Sequence, residues 1–259
     1  MKFASQDIKE TAALLPLAFH FAWGDTKARY RRSVLGPFWI VLGTAIGVAG
    51  LGYLWSIILK IDPAILIPSL TTGMVIWQML TGVITEACST FPRYSQIIKN
   101  IRTPFIIFPV QLLFRHIINF AHNLVIVIIA LLIYVRDWSW VQLLFFPNFL
   151  LVSLNLLWIG TLLSIVGARF RDLELFVGAV MPMLFFLSPV IYRPEHLPLD
   201  SWILRLNPLA YFIEAIRDPL LGTVPGWHVY VGLVVMAVSG WGLTVRLLES
   251  RYGRIAFWI

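Results

Sequence analysis

Six stretches of the chain carry no Asp, Glu, Lys or Arg: residues 34–59, 63–85, 116–135, 138–168, 175–192 and 219–245. A helix needs about 20 apolar residues to cross a bilayer core, so each stretch has close to the required length or more. The runs are continuous rather than alternating, which argues against a membrane barrel. In lipid the backbone must satisfy its own hydrogen bonds, and a helix does so within one segment. The expected fold is an all-α integral membrane protein with six transmembrane helices and no soluble domain of any size. Composition agrees: 59% of the residues are hydrophobic and 13% charged, against about 25% charged in a typical soluble domain.

The basic residues fix an orientation. With the N-terminus placed in the cytoplasm, the outside segments hold only Lys60, Arg136, Arg193, Arg205 and Arg217 of the 20 Lys and Arg. Arg115 falls within or beside a span, and all the others are cytoplasmic. The acidic residues show no such bias. This is the positive-inside pattern, and it accounts for the net charge of +7 better than a nucleic-acid partner does. Six spans return the C-terminus to the cytoplasm. A removable signal peptide is not expected, because the first apolar run is too long and follows a heavily charged segment. The lone Cys88 excludes an internal disulfide and a cysteine-based metal site.

Residues 1–33 read as a cytoplasmic interface helix. Ile8, Ala12, Leu15 and Phe19 recur at helical spacing, with Pro16 set to interrupt the helix. The basic stretch that follows, residues 27–32, also suits a plain topogenic anchor. The remaining residues, 34–259, form the six-helix domain. Gly43 and Gly47 make a GxxxG pair suited to close helix contact. Residues 86–103 are polar yet place Ile97, Ile98 and Ile101 at helical spacing. That pattern predicts a short cytoplasmic helix that docks a partner or else lies on the membrane surface. Arg115 and His116 are expected at the cytoplasmic edge of the third span, with Arg115 snorkelling and residues 103–114 interfacial. Trp138 and Trp140 suit an interfacial aromatic anchor. Residues 193–226 are too apolar for a solvated loop and too rich in proline for a span, so short re-entrant helices in the outer leaflet are expected.

Visible chemistry is sparse. No GxxxxGK[ST] loop occurs, so ATP is not bound by that route. The spans lack the Asp and Glu usual in ion-coupled carriers. The outside residues Glu195, His196, Asp200, Glu214, Arg217 and Asp218 would suit a membrane-bound transferase, but a solvated loop with salt bridges explains them as well. No cofactor or metal site is expected, and a partner must supply the energy.

The segment Tyr30-Arg31-Arg32-Ser33-Val34-Leu35-Gly36-Pro37-Phe38-Trp39 resembles the start of the first span in ABC-2 permeases of bacterial polysaccharide exporters. Phe170-Arg171-Asp172, Ser188-Pro189-Val190-Ile191-Tyr192, Asn207-Pro208-Leu209 and the Glu214 and Arg217 pair are similar to that family's second half, in order and spacing. One departure is Gly24-Asp25, where the family often has Arg-Asp. The resemblance implies a homodimer with two ABC ATPase subunits in the bacterial inner membrane. The cargo would be a polysaccharide on a polyprenyl pyrophosphate, of O-antigen, capsule or teichoic-acid type. Arg29, Arg31 and Arg32 would then meet the pyrophosphate. Phe91, Pro92, Arg93 and Tyr94 would couple to the ATPase. Ser188, Pro189, Tyr192, Asn207, Pro208, Glu214 and Arg217 would form the outer gate. An ABC-2 exporter of a small lipid or drug would share this architecture.

Overall fold

The computed structural model of the chain describes residues 2–134, 139–192 and 206–259. Expectations that rest on residues 136–138 or 193–205, including Trp138, Glu195, His196 and Asp200, lie outside the described residues.

The N-terminal segment forms α1 (Lys2–Ala13) and α2 (Leu15–Arg29). The break falls at Leu14, two residues before Pro16, because a proline suits a helix's first turn and clashes further in. Ala18, Ala22 and Thr26 recur every fourth residue and are the buried stripe of α2. Such small residues let α2 lie close against its neighbour. The apolar positions Ile8, Leu15 and Phe19 stay partly exposed, although the Phe19 ring also meets Phe114 of the third long helix edge-on at 5.8 Å.

Next come α3 (Phe38–Leu59) and α4 (Pro63–Ala87). The turn into α3 uses left-handed backbone at Arg32 (φ 71) and Gly36 (φ 55), and the Ser33 hydroxyl accepts the Gly36 N–H at 3.1 Å. At the start of α4, the Asp62 carboxylate accepts from Ala64 N–H at 2.8 Å, with Pro63 opening the helix. After two short helices, α5 (Thr90–Arg93) and α6 (Ser95–Asn100), the chain enters α7 (Ile107–Tyr134). A 3₁₀ turn at Trp140–Leu144, closed by a Ser139–Gln142 capping box, leads into α8 (Phe145–Arg169). Then follow α9 (Leu173–Leu187), α10 (Pro208–Leu220) and α11 (Trp227–Trp258).

Five of these elements are long and apolar enough to span a membrane: α3, α4, α7, the 3₁₀–α8 unit and α11. The fifth apolar stretch of the sequence is only partly helical. It gives α9, a helix of 15 residues, about 22 Å long at 1.5 Å per residue. Hydropathy alone overlooks this, because it counts apolar side chains and not backbone conformation.

Three further expectations are corrected. The third long helix begins at Ile107, nine residues before the run that the charge pattern marked. Arg115 does not snorkel at its edge; it is 7% exposed and lies two turns inside the helix. It tolerates burial because acids on neighbouring helices face it. The GxxxG pair does not seat another helix of the same chain, since nothing lies within 4 Å of a Cβ placed at Gly43. Gly47 approaches only the Met74 methyl.

One hydrophobic cluster binds α4, α7, α8, α10 and α11 through Leu80, Phe120, Leu156, Phe212 and Leu233. A second gathers the opposite end: Ala4 and Ala18, Phe91, Phe105–Phe108, Ile165, Leu248 and Ile255. Thus α1, α2 and α5 share one core with the end of α11. Phe3 stacks on Tyr252 at 5.2 Å, and Glu249 accepts the Ala4 N–H at 2.8 Å. Asp7 accepts from the Phe105 and Ile106 N–H groups at 2.7 and 3.0 Å. Burial still raises the Asp7 pKa, with those two donors opposing the shift.

Candidate functional site

Some of the residues that the sequence singled out fall into two polar knots, one at the last turn of α4 and one beside its middle. The inner knot surrounds Glu86, in the last turn of α4. Its carboxylate pairs with the Arg115 guanidinium of α7 and with Arg93 at 3.1 Å. His116 Nε2 lies 3.2 Å from Glu86 Oε1, in ion-pair range but off the hydrogen-bond axis. From α2, Asp25 approaches Arg115 at 4.0 Å and accepts from Gln111 Nε2 at 2.9 Å. Gln111 also donates to the Tyr94 hydroxyl at 2.9 Å. Burial raises the pKa of that hydroxyl and the Asp25 charge adds to the rise, with Arg115 and Arg93 opposing. A guanidinium stays charged even when buried, so paired acids must offset its lost hydration, and here they come from two separate helices. Interface helix, elbow and two long helices are therefore tied through one cluster. Of these residues the sequence reading assigned a role only to Arg93 and Tyr94. The signal for Asp25, Glu86 and Arg115 was present: charges at the edges of apolar runs that call for partners.

The elbow, α5–α6, divides its residues between anchor and surface. Phe91 is wholly buried, against Phe105 and Phe108. Tyr94 is half-buried and stacks on Phe108 at 5.0 Å. Phe91 therefore offers no contact surface to a partner, contrary to the expectation drawn from its place in the motif. Arg93 is exposed, and so are Ile97, Lys99, Ile101 and Arg102. Arg29, Arg31 and Arg32 are exposed at the α2–α3 turn, and no ion-pair partner reaches them among the described residues.

The outer knot forms where α9 stops. The Ser188–Ile191 backbone is non-helical and buried, and it lies so close to α4 that a Cβ at Gly73 would collide with the Val190 carbonyl. Its carbonyls find donors elsewhere. Arg217 of α10 is 1% exposed and donates Nη1 to Pro189 O at 2.6 Å and to Tyr192 O at 3.4 Å. Its Nε faces Asp218 Oδ1 at 3.4 Å. Asn207 Nδ2 donates to Ser188 Oγ at 2.8 Å, while Asn207 Oδ1 caps α10 at the Leu209 N–H, 3.0 Å away. Pro208 opens that helix. Ser188, Pro189, Tyr192, Asn207, Pro208 and Arg217 are thus brought together. Glu214 sits one helical turn before Arg217, half-buried. From α8, Asn148 Nδ2 fixes α10 by donating to Ala215 O at 2.7 Å.

Five helices long and apolar enough to cross a membrane, joined by two buried polar knots, define a multi-pass helical membrane protein. The chain belongs to the ABC-2 type transporter family, whose sequence profile matches residues 17–221. That family provides membrane subunits of transporters and not enzymes. The chain is similar to the O-antigen export system permease protein RfbA of Klebsiella pneumoniae, 25% identical over 242 residues, with 89% of this chain and 91% of that protein covered. A second Klebsiella pneumoniae protein of that name is 24% identical, with 85% of each chain covered. RfbA of Myxococcus xanthus is 23% identical over 74% of this chain and 75% of its own length.

Proposed function

We propose that the chain is the membrane subunit of an ATP-driven exporter that carries a polyprenyl-pyrophosphate-linked polysaccharide across the bacterial inner membrane. Two copies would form the conduit and two ABC ATPase subunits would bind ATP. The observation that carries this reading is the near full-length similarity to permeases named for O-antigen export, joined to a family assignment as a transporter. The residues are compatible with the cargo. Arg29, Arg31 and Arg32 stand exposed together at the foot of α3, and forked guanidinium groups suit a pyrophosphate.

Six crossings, with both termini in the cytoplasm, fit the packing. The α1 helix rests on the far end of α11 through Phe3, Ala4, Glu249 and Tyr252, so both ends of the chain lie on one side. Five crossings would part them. The sixth is α9 prolonged by the buried segment at residues 188–191, whose carbonyls Arg217 serves. Non-helical backbone is tolerated at membrane depth when protein buries it. In this arrangement α10 takes the outer gate role with Glu214 and Arg217. The elbow presents Arg93, Ile97 and Ile101 to the ATPase, with Phe91, Pro92 and Tyr94 holding it in place.

The test is reconstitution with the partner ATPase in vesicles loaded with lipid-linked polysaccharide. ATP-dependent appearance of the polymer on the far side is expected. Transport of the polymer by this subunit alone, or transport of only small lipids or drugs, would refute the reading. Arg31→Ala with Arg32→Ala should reduce surface polysaccharide at unchanged protein level; a wild-type amount would remove these two residues from headgroup binding.

A further inference from the structure

Little holds α3 to the rest of the chain. Of its span, 17% is buried, against 67% for α4. Left-handed residues flank it on both sides, Gly36 (φ 55) before it and Lys60 (φ 53) after it. Its glycines touch α4 lightly: a Cβ at Gly47 would stand 3.3 Å from the Met74 methyl, and one at Gly52 would stand 3.4 Å from Ile67 Cγ1. Among the described residues its one polar tie to another helix is Thr44, which is 3% exposed.

Thr44 closes a ring with one side chain from each neighbour. Its hydroxyl donates to Asn123 Oδ1 of α7 at 3.1 Å. Asn123 Nδ2 donates to Gln78 Oε1 of α4 at 3.3 Å, and Gln78 Nε2 donates back to Thr44 Oγ1 at 3.0 Å. No charge takes part, and hydrogen bonds between membrane helices contribute little each. Two members also have a second acceptor on their own helix. The Thr44 hydroxyl reaches Ile40 O at 3.0 Å, and Asn123 Nδ2 reaches Asn119 O at 3.4 Å. For Gln78 the alternative is a pocket. A cavity of about 140 Å³ adjoins the ring, lined by Ile40, Gln78, His116, Asn119, Phe120 and Asn123. The Asn119 carboxamide has no hydrogen-bond partner among the described residues. An apolar cavity stays dry, but one of this volume with several polar walls has room for about four waters.

We propose that this pocket is a water site, and that ring and water together make a releasable clip for α3. While the ring is closed, α3 is pinned to α4 and α7. When α3 leaves, Thr44 turns to Ile40 O and the pocket's waters take up the carboxamides of Gln78 and Asn123, so no polar group is stranded in lipid. The clip concerns the helix and not the cargo; only its export readout rests on the exporter reading.

The test uses the full transporter with its ATPase partner. Spin labels on cysteines placed at Leu42 of α3 and Ala121 of α7, both exposed, report the distance between the two helices, with labelled copies diluted among unlabelled ones. Cys88, 2% exposed, stays unlabelled. Two variants should move that distance in opposite directions. Thr44→Val removes the hydroxyl and keeps the shape, so the population with α3 released should rise roughly tenfold. Asn119→Leu dries the pocket without touching the ring, so the released population should fall by a similar factor while the melting temperature holds or rises. Both should lower the polysaccharide exported per ATP hydrolysed. Thr44→Ser keeps the hydroxyl and should behave as the parent. An unchanged distance distribution in both variants, or a shift in the same direction, refutes the clip. A map that resolves ordered water should show water bonded to Asn119 and Gln78; an empty pocket, or an acyl chain in it, refutes the water site. If the distances shift as stated in a transporter that moves no polysaccharide, the clip stands and the exporter reading falls.

Discussion

Arg217 carries the sharpest test of the architecture. It is 1% exposed and supplies the donors for two backbone carbonyls where α9 has ended. Arg217→Met keeps much of the volume and removes the guanidinium. A hydrogen bond from a charged donor contributes about 1.5–3 kcal/mol, and a buried carbonyl left without a donor costs about 1–3 kcal/mol. The Pro189 bond at 2.6 Å counts in full, and the Tyr192 bond at 3.4 Å adds little. Release of the buried charge offsets part of the loss. The net destabilisation is about 3 kcal/mol. For chains near this size, a change of 1 kcal/mol moves the melting temperature by about 2–4 °C, so roughly 6–12 °C is expected. Arg217→Lys keeps the charge but not the fork and should lose about half as much. The assay is thermal unfolding in detergent, followed by a thiol-reactive dye on Cys88, which is 2% exposed in the folded chain. Arg254→Met, at an exposed position, is the control and should hold within about 1 °C. If Arg217→Met melts with the control, the guanidinium does not hold the broken segment, and the account of the shortened α9 fails.

Glu86→Gln leaves Arg115 buried with only Asp25 near it, at 4.0 Å. Breaking a buried pair costs about 3–5 kcal/mol; because the Glu86 side chain is 27% exposed, the lower end is expected in a urea or thermal titration. Glu86→Gln with Arg115→Met should recover part of that loss. Phe91→Ala should lower stability by about 3–5 kcal/mol, whereas Ile97→Ser with Ile101→Ser should leave the melting temperature unchanged and weaken co-purification of the ATPase. Burial pushes the Cys88 thiol up to about 11, so its thiolate is scarce at neutral pH. Alkylation by iodoacetamide at pH 8 should be negligible in the folded protein and complete after unfolding.

Much of the fold is legible in the residue order because a bilayer imposes one strong rule. Runs without charge must be helices, and three runs correspond closely to α3, α4 and α8, while the last covers only the first part of α11, which continues to Trp258. Pro16 and the Asn207-Pro208 pair announce their helix boundaries through local sterics. What escaped was set by tertiary pairing. Arg115 read as an edge residue because a lone arginine inside a span is unfavourable. Its partners, Glu86 and Asp25, stand 29 and 90 positions away in sequence, beyond any local pattern. Phe91 enters the docking set through the family resemblance, and only the fold reveals Phe105 and Phe108 packed against it. The α9 break escaped for a related reason. Its residues are as apolar as a helix would need, and what permits the break is a guanidinium contributed from position 217.

The two knots acquire meaning together through α4. This helix runs 25 residues, about 37 Å, with Glu86 near one end and Gly73 about 20 Å away from it. At the inner end Glu86 is pinned to the elbow through Arg93 and to α7 through Arg115. Toward the outer end Gly73 presses against the broken segment at Val190, with no room even for a methyl group. Both attachments are short and directional, and buried helices transmit displacement because their interiors are close-packed. Were an ATPase to push on the elbow, as the proposed function requires, α4 would connect that push to the non-helical segment whose carbonyls Arg217 holds.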